Sequence, residues 1–131
     1  MLLAGDEAAL PAIATILEEL PSTTRARVFV EVHDPDEEQE LHFPADIAIT
    51  WLHRRSDEEP AGRLLARTLL LGEVSAAAEK VWVACEAAAM REIRRHLLFT
   101  LGMQRGPVAT QGYWKHGLAN HSDHDWGTDV A

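Results

Sequence analysis

Four short segments carry the residue types that could bind or transform a ligand: Gly5-Asp6-Glu7-Ala8, His53-Arg54-Arg55, Cys85-Glu86-Ala87 and Tyr113-Trp114-Lys115. A helix starting at the first could offer free backbone N–H groups to a phosphate. It lacks the glycines of G-x-G-x-x-G, however, and its two carboxylates would repel a pyrophosphate, so simple capping by Asp6 is the alternative. The guanidinium of Arg54 could fork onto a phosphate such as the 2′-phosphate of NADP, or pair at the surface with Asp57 to Glu59. Cys85 has no visible activating partner and reads as a small buried thiol rather than a nucleophile. His116, His121 and His124, with Asp123 and Asp125, have spacings a metal could accept. They match no recognised zinc pattern, and a solvated tail is the expected reading.

These segments can act together only if the fold brings them to one place, and the patterning around them is consistent with that. Each follows or closes a strand-like run. Leu2 to Ala4 are apolar; Arg25 to Val32 and Asp46 to His53 have period two; Lys80 to Ala84 is short and β-branched; Pro107 to Trp114 supplies a last strand. Between them, Asp6 to Leu20, Leu64 to Leu71 and Glu86 to Leu101 carry apolar residues at helical spacing, with Gly72 and Gly102 as stops. The order β-α-β-β-α-β-α-β predicts an α/β fold: a Rossmann-like, five-stranded parallel sheet in the order 3-2-1-4-5, flanked by helices. The acidic stretch Asp34 to Glu40, with Pro35 and Pro44 nearby, makes the second-to-third strand connection an irregular crossover. In such sheets ligands gather at the carboxyl ends of the strands, where all four segments fall. Residues 1–114 read as one domain and 115–131 as a C-terminal tail.

Composition narrows the classes. The chain has 131 residues, 47% of them hydrophobic and 25% charged, which suits one folded domain and not a disordered or fibrous chain. A formal charge of −9 opposes nonspecific attraction to nucleic acid or anionic membranes, although ten of the twelve cations are arginines and a local anion site stays open. No apolar run approaches the roughly 20 residues of a membrane span, no leader opens the chain, and one cysteine cannot form an intrachain disulfide; a cytoplasmic protein is expected.

Four motifs in the same order sharpen this. Leu2-Leu3-Ala4-Gly5-Asp6-Glu7-Ala8-Ala9-Leu10-Pro11-Ala12-Ile13 resembles the "LAGDETALPAI" opening of the C-terminal domain of siderophore-interacting proteins, the ferric-siderophore reductases related to ferredoxin-NADP reductases. Thr50-Trp51-Leu52-His53-Arg54 is similar to that family's third-strand end. Val81-Trp82-Val83-Ala84-Cys85-Glu86-Ala87 with Arg91-Glu92-Ile93-Arg94-Arg95 resembles "VWVAGEA…RxIRR", and Gly112-Tyr113-Trp114-Lys115-His116-Gly117 resembles "GYWRxG". The likeness spans residues 2 to 117. It departs at Ala8, where the family has Thr, and at Cys85, where it has Gly.

The resemblance implies an NAD(P)H-binding oxidoreductase module for iron acquisition, with a ferric siderophore as indirect substrate. Hydride would pass to FAD, and electrons from there singly to Fe(III). Because Met1 lies almost on the first strand, the FAD-binding barrel is expected on a separate domain or protein, or else a homodimer is expected to cover the face the barrel would occupy. The implied cofactor contacts are Gly5, Asp6, Glu7 and Ala8 at the pyrophosphate, Arg54 at the adenosine end, Cys85, Glu86 and Ala87 at the nicotinamide half, and Tyr113, Trp114 and Lys115 closing the crevice. The competing expectation is an interaction or regulatory domain that kept the fold and lost redox chemistry.

Overall fold

In the computed structural model, which describes residues 1–43, 46–54, 60–74, 80–122 and 124–130, five strands pair in parallel. They are β1 (Leu2–Asp6), β2 (Arg25–Val32), β3 (Asp46–His53), β4 (Val81–Glu86) and β5 (Val108–Trp114), in the expected order β3-β2-β1-β4-β5. The register sets Asp6 beside Glu31 and Cys85 beside Gly112. Both faces of the central strands are covered, so their sequences are nearly continuous apolar runs.

Alternation along each strand divides the core in two. Leu3, Val28, Val30 and Val32 face α1 (Leu10–Glu19), against Leu10, Ile13 and Leu17. Ala4, Phe29, Val83 and Cys85 face the other way, onto Leu65 and Leu69 of the α2 (Arg63–Thr68) region and Met90 and Ile93 of α3 (Ala87–Arg95). The last two helices widen before they stop, and Gly72 (φ 101°) and Gly102 (φ 70°) take the left-handed backbone at their ends.

Two boundaries move from the sequence reading. The first helix does not start at Asp6: β1 runs through Asp6, because Gly5 and Asp6 are still held in the ladder, and a single 3₁₀ turn (Glu7–Ala9) leads into α1. A side chain at Gly5 would meet Ala84 O at 2.8 Å and Ala9 Cβ at 2.8 Å, so glycine there permits the close turn from strand to helix. Likewise β4 extends two residues beyond Ala84, carrying Cys85 and Glu86 into the sheet. The crossover after β2 is irregular as expected, with one 3₁₀ turn (Pro35–Glu37) capped by the Asp34 carboxylate.

The C-terminal segment, expected to be solvated, instead docks on α3 and β5. Both carboxylate oxygens of Asp125 accept from Arg91, at 2.6 and 2.9 Å, and Arg91 Nε also donates to Asp129 at 3.0 Å. Asp125 O accepts from Gly112 N, and Trp126 O accepts from Thr110 Oγ1. The docking rests on ion pairs and backbone donors of an edge strand, and neither has hydrophobic periodicity to betray it. Asp123 and the acids Asp57 to Glu59 lie outside the described residues, as does Arg55. Among the described residues no helix is long and apolar enough to cross a membrane.

Candidate functional site

The order in which the chain adds strands reverses at β1, which lies between β2 and β4, and the carboxyl ends of the strands beside such a switch point are where open α/β sheets take ligands. Asp6 sits at this point and is fully buried. Its Oδ1 accepts from Ala8 N at 3.0 Å, and its Oδ2 accepts from Glu86 N at 3.0 Å and from Trp114 Nε1 at 2.9 Å. One carboxylate thereby ties the ends of β1, β4 and β5 together. Trp114 reaches it because β5 carries one extra residue at Tyr113, where the register slips between Cys85 and Glu86; such a bulge re-aims the side chain beyond it.

Burial raises the Asp6 carboxyl from 3.8 to about 6, with the nearby Glu7 charge adding to the rise and the Trp114 bond opposing it. The folded protein thus holds this proton more tightly than the unfolded chain. Ionising Asp6 works against the fold, and its contribution to stability falls as pH rises from about 4 through about 6. The Trp114 indole N–H resonance should shift with a midpoint near 6. A midpoint near the ordinary carboxyl value would mean that Asp6 is solvated.

Glu86 performs a parallel task one strand away. Its Oε2 accepts from Ala88 N at 2.8 Å and Ala89 N at 3.0 Å, capping α3, while Oε1 accepts from His116 N at 3.2 Å. The helix entrances on both sides of the crevice therefore carry their own carboxylates. Of the donors expected to meet a pyrophosphate, Ala8 N is engaged by Asp6. Beside Glu86 a cavity of about 170 Å³ opens, lined by Pro60, Ala61, Arg63, Ala88, Glu92 and His116 among others. Typical ligand pockets start at roughly 300 Å³, so a dinucleotide would have to lie across the open strand ends with only part of it in this recess.

The remaining expected residues divide by face. Tyr113 and Trp114 are half-buried and Lys115 is exposed at the crevice edge, with Lys115 O accepting from Leu118 N. Ala87 is buried under the docked C-terminal segment, beside Gly112. Cys85 points away from the crevice: its thiol is 0% exposed, packs in the α2/α3 core, and is pushed well above its usual pKa by burial and by the charges of Asp6, Glu31 and Glu86. It is the buried thiol expected from the sequence, and with the whole residue inaccessible it offers no surface to a cofactor.

Arg54 stands one residue beyond β3, its N–H still donating to Val32 O at 2.9 Å. Its side chain is only 7% exposed and crosses the end of β2: Nη1 donates to Glu31 Oε2 at 2.7 Å and Nη2 donates to Glu7 Oε1. Burial lowers its pKa, but the two carboxylates outweigh this and leave a net upward shift. Glu31, fully buried, also accepts from Gly62 N at 2.6 Å and from Leu65 N at 3.0 Å, which caps α2. Glu31 was not among the candidate residues of the sequence. The signal was available: a carboxylate on a strand covered on both faces must have a partner, and the arginine one strand away supplied it.

His121 Nε2 donates to Asp125 Oδ2 at 2.7 Å; burial pushes the Asp125 carboxyl up, but Arg91 and His121 outweigh it and leave it below its ordinary pKa. The histidine cluster of the C-terminal segment is therefore tied, through His121, to the ion pairs that dock it.

The family model for siderophore-interacting proteins matches residues 1–117. An uncharacterized protein of Mycobacterium tuberculosis is 33% identical over 139 residues, covering 99% of this chain and 49% of that one. The ferric vibriobactin reductase ViuB of Vibrio cholerae is 32% identical over 126 residues, covering 95% of this chain and 46% of ViuB. A crystal structure of a siderophore utilization protein from T. fusca superposes with a TM-score of 0.78 at 41% identity, covering 94% of this chain and 47% of that one. The chain spans about half the length of each of these relatives.

Proposed function

The chain belongs to the siderophore-interacting protein family, and we propose that it is the NAD(P)H-binding module of a cytoplasmic ferric-siderophore reductase. The observation that supports this reading is the convergence of Asp6, Glu86 and Trp114 at the switch point between β1 and β4, the place where open parallel sheets take ligands. Relatives in this family extend for as much chain again, and FAD would sit on a domain of that kind; without one, a second copy of this chain would cover the same face. A nicotinamide bound in the crevice would supply hydride to that flavin, from which electrons pass singly to Fe(III) in the siderophore. Within this chain Asp6 holds three strand ends in register, Glu86 fixes the entrance of α3, and Trp114 and Lys115 bound the crevice at its β5 side. Lys115, exposed at that edge, brings a cation to the dinucleotide phosphates.

A second reading, an interaction or regulatory domain without redox chemistry, is favoured by one observation. The carboxylates of Asp6 and Glu86 already hold Ala8 N, Ala88 N and Ala89 N, donors a pyrophosphate would otherwise use. Titrating the folded protein with NADH and NADPH, followed by tryptophan fluorescence, separates the two. The reductase module should saturate in the micromolar to millimolar range usual for such substrates. No binding of either nucleotide at millimolar concentration moves the assignment to the interaction domain.

A further inference from the structure

In doubly wound sheets the adenosine half lies beyond the second strand, where an acidic residue accepts from a ribose 2′-hydroxyl in NAD sites and a nearby arginine receives the 2′-phosphate in NADP sites. Arg54 is placed for the second role, but both of its terminal nitrogens are already donated to carboxylates. Glu31 is inaccessible at 0% exposure and cannot be displaced without opening the core, while Glu7, 39% exposed, lies on the solvent side of the pair. An incoming phosphate would meet a guanidinium that is 7% exposed and already paired, with the Glu7 carboxylate on its solvent side.

Among the described residues, a run of acids follows β2 at this end of the sheet. Beyond β2 stand Asp34, Asp36, Glu37 and Glu38. The two histidines at this end each face an acid: His33 Nδ1 is 3.2 Å from Asp34 Oδ2, and His53 Nε2 is 2.9 Å from Glu38 Oε2. A 2′-phosphate brings about two further negative charges to this rim, whereas a 2′-hydroxyl brings a donor to a carboxylate. Asp34, half-exposed just past β2, accepts from Asp36 N through Oδ1 and lies 3.2 Å from His33 Nδ1 through Oδ2, which leaves lone pairs on both oxygens for such a donor.

Resting on the reading of this crevice as a dinucleotide site, we propose that it selects the unphosphorylated dinucleotide, NADH, against NADPH: Arg54 is sequestered between Glu31 and Glu7, and the acids after β2 line the adenosine rim. Glu7 and Asp34 are the specificity-determining residues, and Arg54 is a positioning residue that holds Glu7 in place.

The test is the ratio of NADH to NADPH dissociation constants for the folded protein at low ionic strength. NADH should bind about tenfold more tightly, the factor expected from one charge pair near a surface, and added salt should narrow the gap. Glu7→Gln, which removes the outer carboxylate from Arg54, and Asp34→Asn, a half-exposed change that leaves the Arg54 pairs intact, should each narrow the ratio several-fold, with unfolding transitions confirming that both variants fold. NADPH binding as tightly as NADH, or a ratio unmoved by both substitutions, overturns the selectivity and leaves the reductase module standing. Failure of both nucleotides to bind overturns the module and the selectivity with it.

Discussion

Replacing Glu31 with alanine is expected to cost the fold about 4 kcal/mol, the range found when one partner of a buried ion pair is removed. Glu31 is the acceptor for three buried donors: Arg54 Nη1 at 2.7 Å, Gly62 N at 2.6 Å and Leu65 N at 3.0 Å. Deleting it leaves an inner guanidinium nitrogen without its carboxylate. It also takes the acceptor from two buried N–H groups at the start of α2, at about 1–3 kcal/mol for each stranded group before relaxation. The cavity left by the side chain adds to this. In a urea titration the midpoint should fall sharply, and the thermal midpoint should drop on the order of 10 °C. A loss below about 1 kcal/mol would show that water reaches the β2 end and that the pair is in effect a surface one. Glu31→Gln, which keeps the volume and one acceptor, should lose less and so isolate the share due to charge.

Gly62→Ala is expected to be nearly as damaging, about 3 kcal/mol, for two separable reasons. The backbone at Gly62 has φ 91°, a conformation that L side chains rarely adopt, and an added Cβ would come within 2.5 Å of Ala89 Cβ on α3. Relieving that contact requires α2 and α3 to part, which would pull Gly62 N away from Glu31. Gly72 provides the internal comparison: its φ is 101°, but nothing lies within 4 Å of an added Cβ. Gly72→Ala should therefore cost only the backbone term, about 1 kcal/mol. Equal losses at the two sites, measured by denaturant unfolding, would mean that packing of α2 against α3 contributes nothing at Gly62.

Much of this protein is legible along the chain because it is local. The alternation in Arg25–Val32 and Asp46–His53 is a property of consecutive residues, and those two strands run as the patterning predicts. Short apolar strands between amphipathic helices require a parallel sheet with covered faces, and that sheet's order places the strand-end segments on one side without knowledge of a single contact. The buried thiol at Cys85 followed from the absence of any activating neighbour in the sequence. Four ordered motifs over residues 2 to 117 identified the family.

What the chain could not disclose is which charged groups meet, since that depends on residues brought together across the sheet. Arg54 read as a phosphate ligand or a surface pair because the nearest acids after it along the chain are Asp57 to Glu59. In the fold its neighbours are Glu31, 23 positions away, and Glu7, 47 positions away, and their carboxylates decide what its guanidinium can still bind. Asp6 looked like a local cap, which it is for Ala8, yet its other oxygen holds Glu86 N and Trp114 Nε1 from strands 80 and 108 positions distant. The docking of Asp125, Trp126 and Asp129 onto Arg91, Thr110 and the Gly112 backbone likewise left no periodic trace. Hydrophobic patterning is written in sequence because burial is a property of faces repeated every two or 3.6 residues. A buried charge needs one particular partner at hydrogen-bond distance, and only the tertiary structure supplies that partner.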